Sequence, residues 1–245
     1  MWSSNLLSRM RAPLVCHAEM LNISFAFRMS SAAFQEYSTA DANCAVKIPD
    51  TVSFSQAATI CVTWYTAIVG LCHPQLLALR FPDDPFSKSS PPPEATQPIL
   101  IWGAGSGIGR ACVQILYQGG YSNILATSAP NRFDDLKSIG AKEVFDYRQE
   151  NVVDAISSYL AGRNEKLLVA YDPISTPATL EPISKVVSAG GVVATVTPQG
   201  QDIIPYEGGI IRRARTQVAS VINVRLDCSR TLRCVLIEFI EKVRK

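Results

Sequence analysis

Apolar residues in this chain fall into two spacings that alternate from residue 99 onward. Short continuous or near-continuous apolar runs at Ile99 to Trp102, Ile124 to Thr127, Val144 to Phe145, Leu167 to Tyr171 and Val192 to Val196 predict buried strands. Between them, stretches with apolar residues every third or fourth position predict helices near Arg110 to Gln118, Phe133 to Ile139, Val152 to Leu160 and Ala178 to Val187. Five strands alternating with four helices predict an α/β fold, a doubly wound parallel sheet with right-handed crossovers. Upstream, Ala45 to Asp50 reads as a short strand and turn, and Phe54 to Leu71 as an apolar, buried helix capped by Ser53 or Ser55. Phe81 to Pro98, with three consecutive prolines, reads as a linker or surface loop, and Leu232 to Val243 as a C-terminal helix.

Composition narrows the class without naming a chemistry. With 47% hydrophobic and 18% charged residues, the chain can bury a sizeable core. Its 23 basic and 21 acidic residues are too balanced to expect nucleic acid or an anionic membrane as a partner. Arg212, Arg213 and Arg215 form the only basic cluster, read either as a solvated helix end or as a phosphate site. Seven cysteines, odd in number and without a C-x-x-C pair, are expected in a reducing compartment, the cytoplasm. The only histidines, His17 and His73, each follow a cysteine, and no metal site is expected. The longest apolar stretch, Ala57 to Cys72, is interrupted by Thr59, Thr63, Trp64 and Thr66, so no membrane span is expected. Residues 1–32 are expected to be irregular; Arg9, Arg11 and Arg28 with a single acid, Glu19, leave a mitochondrial leader as the alternative.

The chemistry-bearing motif is Gly103-Ala104-Gly105-Ser106-Gly107-Ile108-Gly109, placed between the first predicted strand and helix. Glycines there allow a tight turn and let backbone N–H groups approach a pyrophosphate at the positive end of a helix. The register departs from strict G-x-G-x-x-G, and a tight turn without a ligand is the competing reading. The next strand ends Ala126-Thr127-Ser128-Ala129-Pro130-Asn131-Arg132, without the acid that would hold a ribose 2′-hydroxyl. Arg132 in that loop favours NADPH over NADH, the alternative being an exposed cation at a helix start.

The string GAGSGIG is similar to the short-chain reductase turn, but about a hundred residues precede it, and Tyr117, Tyr121, Tyr147, Tyr159, Tyr171 and Tyr206 all lack a lysine four positions on. A different family covers more of the chain. Ala33-Phe34-Gln35-Glu36-Tyr37, Lys47-Ile48-Pro49-Asp50, Phe54 to Thr59, Ile101-Trp102-Gly103, Ser128 to Phe133, Lys137 to Ala141 and Val144-Phe145-Asp146-Tyr147 occur in order. Together they resemble the zinc-independent medium-chain dehydrogenase/reductase superfamily, in particular the fungal trans-acting enoyl reductases of polyketide biosynthesis, of the lovastatin enoyl reductase type.

That resemblance implies a Rossmann-like domain over residues 97–224. Residues 33–80 would be the remnant of a GroES-like β-rich catalytic domain with its linking helix, residues 81–98 a linker, and residues 225–245 a C-terminal helix. It implies hydride transfer from NADPH to an enoyl thioester, small or carrier-bound, with a polyketide synthase as partner and a monomeric or homodimeric state. Ser106, Gly107, Ile108 and Gly109 would cradle the pyrophosphate, Ala129, Pro130, Asn131 and Arg132 would meet the 2′-phosphate, and Tyr147 would lie against the adenosine. Cys61, Val62, Thr63, Trp64, Tyr65, Thr66 and Ala67 would border the acyl pocket, against the plainer reading of a buried helix. No catalytic residue is assigned. Because both ends depart from the family pattern, the expectation from a different class is a truncated, non-catalytic relative that binds NADPH weakly or serves as an interaction module.

Overall fold

A computed structural model describes residues 22–24, 45–48, 50, 52–81 and 91–196, with the strands at 203–206 and 209–213. Two compact units are formed, Met1–Val62 with Val218–Lys245, and Thr63–Gln217. In the first, β1 (Asn22–Ser24) pairs antiparallel with β2 (Ala45–Lys47), so the segment expected to be irregular contributes a strand. The motif Ala33 to Tyr37 and the expected helix Leu232 to Val243 lie outside the described residues.

Helix α1 (Phe54–Cys72) begins at a reciprocal cap. The Ser53 hydroxyl accepts from the Gln56 amide at 3.3 Å, and the Gln56 side-chain oxygen accepts from the Ser53 amide at 3.0 Å. Pro74 disfavours helical backbone at His73 and ends it. The expected all-round burial is not found. Trp64, Ala67, Gly70 and Leu71 make one buried stripe at helical spacing, while Phe54 and Val62 are 59% and 58% exposed. By length and composition alone α1 could cross a membrane, contrary to the expectation from its threonines, because a mean hydropathy of 1.3 tolerates them. Core helices of soluble proteins pass the same test, and one such helix carries little weight.

The second unit is built on the strands β3 (Ile99–Ile101), β4 (Ile124–Ser128), β5 (Glu143–Asp146), β6 (Val169–Asp172), β7 (Gly191–Thr195), β8 (Ile203–Tyr206) and β9 (Gly209–Arg213). They form one sheet in the order β5-β4-β3-β6-β7-β9-β8, parallel except for β8 against β9. Helices α2 (Gly107–Gln118), α3 (Phe133–Ser138), α4 (Val152–Ala161) and α5 (Pro177–Val186) make the crossovers. The five expected strands and four expected helices are all present, with ends shifted by a few residues at most. Residues of β3 and β4 are buried throughout, as strands covered on both faces must be. Leu100, Leu125, Ala170 and Val193 pack with Val152, Ile156 and Leu160 of α4 and Ile183 and Val186 of α5. The alternate residues Ile99, Ile101 and Tyr171 therefore face the other layer.

Three expectations change. The segment from Pro91 to Pro98 is a packed turn, with Pro92 and Ala95 buried, the Ala95 carbonyl accepting from Ser122 N at 2.9 Å, and Arg80 forked onto Glu94. Arg212 and Arg213 lie in a strand, since Ile210 and Ile211 extend the sheet beside β7; Arg215 lies outside the described residues. Strands β8 and β9 were not expected at all.

Tyr171 locks α1 to the sheet. Its buried hydroxyl donates to the Thr66 carbonyl at 3.0 Å, and its ring fills the space a side chain at Gly70 would need, 2.3 Å from a Cβ built there. Gly70→Ala is expected to destabilise the protein by about 1–3 kcal/mol, the range for overpacking a tight core, read as a lower urea midpoint with an unchanged slope.

Candidate functional site

In the chain's path, β3 leads outward to β4 and β5, and the chain then returns to add β6 and β7 on the opposite side of β3. At such a reversal the connections leave the carboxyl ends of β3 and β6 on opposite faces, opening a crevice. The glycine turn sits there. Gly103, at φ +72°, donates its N–H to the Thr127 hydroxyl at 2.9 Å, and Ala104 donates to the Thr127 carbonyl at 2.8 Å. The turn is thereby fastened to the end of β4.

Each remaining glycine admits a different neighbour. A Cβ at Gly109 would lie 2.5 Å from the Gly103 carbonyl oxygen, so α2 can rise this close to its own strand only without one. At Gly105 it would meet the Ser128 hydroxyl at 2.6 Å, and at Gly107 the Thr63 methyl at 3.0 Å. Ser106 caps α2, its hydroxyl accepting from the Gly109 amide at 3.1 Å. The amides of Gly107 and Ile108 have no acceptor within the helix and add to the positive end of its dipole.

A cleft of about 370 Å³ opens over this turn. It is lined by Ala104, Gly105, Ser106 and Gly107 of the turn and by Arg110, Arg132, Asp135 and Leu136. Arg132 closes the 3-10 turn Pro130–Arg132 that follows Ala129, and Asp135 lies in the first turn of α3. The Arg110 guanidinium is bonded to the Asp135 carboxylate. Its pKa is lowered, first by partial burial and then by the Arg132 charge.

Of the residues expected to hold a cofactor, Ser106, Gly107 and Arg132 line this cleft. Ile108 and Gly109 form the first turn of α2 below it, and Ala129, Pro130 and Asn131 form the lip leading to Arg132. Tyr147 stands apart, 48% exposed beyond the end of edge strand β5 and outside the cleft lining. Within the stretch expected to border an acyl pocket, Trp64 and Ala67 are buried and Thr63, Tyr65 and Thr66 partly so; Val62 is exposed, and the Cys61 side chain lies outside the described residues. Thr63 brings that stretch against the glycine turn. Arg110, Asp135 and Thr127 were missed. Asp135 had one local signal, its place in a first helical turn, where the dipole favours an acid.

On the β6 side of the crevice, Asp172 is buried, and its carboxylate accepts from the Ile174 amide at 2.9 Å and the Thr179 hydroxyl at 2.5 Å. The Ser175 hydroxyl donates to the Asp172 carbonyl at 2.7 Å and accepts from the Val196 amide at 2.7 Å, tying β6 to the end of β7. These bonds hold Ile174 over Gly103, where a Cβ would meet its side chain at 2.6 Å. Burial pushes the Asp172 carboxyl pKa up, against the lowering effect of its donors. A raised folded-state pKa favours the protonated form in the fold. Its contribution is full below the unfolded value of about 3.9 and is lost as pH rises through the folded value. Asp172→Asn is therefore expected to gain stability relative to the parent between pH 4 and pH 7, measured by urea denaturation at each pH.

The zinc-binding dehydrogenase family, compared as a sequence model, matches residues 107–242. A trans-enoyl reductase of Aspergillus sclerotiorum is 37% identical over 165 residues, 64% of this chain and 45% of that protein. A zinc-type alcohol dehydrogenase-like protein of Schizosaccharomyces pombe is 36% identical over 151 residues, 61% of this chain and 40% of that one. The chain thus spans less than half the length of these relatives. Among solved structures, an alcohol dehydrogenase superfamily protein of Novosphingobium aromaticivorans superposes with TM-score 0.62 at 19% identity, over 84% of this chain and 56% of that one. The CurK enoyl reductase superposes with TM-score 0.60 at 23% identity, over 82% and 55%. Both show the same fold. Among the described residues no three His, Cys, Asp or Glu side chains converge, so they do not fit the zinc in the family's name.

Proposed function

We propose, for a chain that belongs to the zinc-binding dehydrogenase family of the medium-chain dehydrogenase/reductase superfamily, an NADPH-dependent, zinc-independent oxidoreductase function of the enoyl reductase type. The observation that carries the cofactor assignment is the cleft itself. Its lining includes the Gly105 and Gly107 backbone, bare of Cβ atoms, at the start of α2, with the Arg132 cation in the same lining. A pyrophosphate needs N–H donors at a helix start, and a 2′-phosphate needs a cation one strand over. The amides of Gly107 and Ile108 supply the first and Arg132 the second.

Bound there, the nicotinamide nucleotide supplies the hydride. The protein's own part is to bind and orient: Ser106 holds the first turn of α2 open toward the pyrophosphate, and the Asp172 network holds Ile174 over Gly103 at the crevice. Thr63 places the Thr63 to Ala67 part of α1 beside the turn, where an acyl chain would run along the cofactor. The names of fungal relatives, trans-enoyl reductases of Aspergillus sclerotiorum and Gibberella fujikuroi, support an enoyl thioester as substrate, delivered free or on the carrier of a polyketide synthase.

A second reading, an interaction module that binds NADPH without turnover, is favoured by the apolar residues Phe54 and Val62 that α1 exposes. Oxidation of NADPH on addition of an enoyl thioester separates the two.

Titration of cofactor fluorescence with the purified chain is expected to give saturable binding. A charged hydrogen-bonded contact worth about 1.5–3 kcal/mol should favour NADPH over NADH by roughly ten- to a hundredfold. Absence of binding by a folded sample would overturn the assignment.

A further inference from the structure

The cleft contains more positive charge than one phosphate-binding residue accounts for. Arg110 is the fourth residue of α2, in the helix's first turn, where a cation opposes the macrodipole. Arg132 faces the same cleft from the 3-10 turn after β4, its Cγ 3.8 Å from a Cβ built on Gly105. Two guanidiniums and a helix N-terminus therefore converge on one volume of about 370 Å³, and Asp135 is the single carboxylate in its lining. The Arg132 charge is felt at Arg110, in the direction of like-charge repulsion.

We propose that Arg110 is a second cation for the 2′-phosphate of the nucleotide, clamping it with Arg132 across the cleft, and that Asp135 is the internal counterion the phosphate displaces. This rests on the NADPH reading above and extends it to two residues that reading does not use. A dianionic phosphate offers each planar guanidinium a two-oxygen edge, the arrangement for which arginine is suited over lysine. While the cleft is empty, the Asp135 carboxylate occupies the Arg110 fork and spares it from facing Arg132 and the helix dipole unpaired. Release of Asp135 is favourable on two counts. Its side chain is 36% exposed and can rehydrate, and its place in the first turn of α3 keeps it in a favourable dipole. The competing role for Asp135 is acceptance of a free ribose 2′-hydroxyl, which would make the site one for NADH.

Calorimetric titration of 2′,5′-ADP and 5′-AMP into the full chain separates these possibilities, because the two ligands differ only in the 2′-phosphate. Arg110→Met should weaken 2′,5′-ADP about tenfold or more, the loss of one charged contact, and leave 5′-AMP within about twofold. Arg110→Lys, retaining charge without the fork, should fall between, and its unchanged thermal midpoint guards against misreading a folding defect. Asp135→Asn should tighten 2′,5′-ADP severalfold, since it removes a repelling charge and keeps an acceptor for Arg110. Equal weakening of both ligands by Arg110→Met, or no weakening, overturns the clamp, as does loss of 5′-AMP binding in Asp135→Asn. If the parent chain itself prefers 5′-AMP, the NADPH reading falls and the clamp with it. If the parent prefers 2′,5′-ADP and the Arg110 variants are silent, the clamp alone falls.

Discussion

The approach of α2 to the end of β3 is the contact on which the site depends. The Gly103 carbonyl stands 2.5 Å from the position a Cβ of residue 109 would take, so only glycine lets the helix begin there. Everything near the cleft is placed by that closeness. Ser106 can cap the helix because the chain turns within three residues, and Thr127 can hold both Gly103 and Ala104 because the turn bends back over β4. Arg110 reaches the cleft because the first turn of α2 begins at its edge. A wider turn would keep the sheet and lose the constellation.

Much of the fold was legible because the strands of a parallel sheet are covered on both faces and so read as apolar runs. Ile99 to Ile101 and Ile124 to Ser128 are buried along their whole lengths. The proline-rich segment around Pro92 reads as linker or surface loop because proline suits both, whereas the turn it makes packs against Ser122 and Asn123. Strands β8 and β9 carry few residues each, one with a proline and the other ending in two arginines, and neither pattern stands out from loop. The composition of α1 reads as burial all round, but apolar content says which face can pack and not how many faces do.

The site was half legible for a related reason. The glycine turn and the Ala129 to Arg132 loop announce themselves locally, through residue types whose backbone requirements are particular. The Arg110–Asp135 pair joins residues 25 positions apart on different helices. Only the crossover that brings α3 beside α2 puts them together. The absence of an acid at the end of β4 pointed to NADPH, yet Asp135 brings a carboxylate into the same cleft from the next helix. That carboxylate is engaged by Arg110, and the pairing is a tertiary property.

Amide hydrogen exchange with and without NADPH tests the account most directly, because it asks which backbone the nucleotide covers. Slowed exchange confined to the Gly105 to Gly109 turn and the Ala129 to Arg132 lip, with the distant α4 amides unchanged, is the predicted footprint. Protection that spares both segments, or that appears uniformly through the sheet, would contradict the assignment of this cleft as the cofactor site.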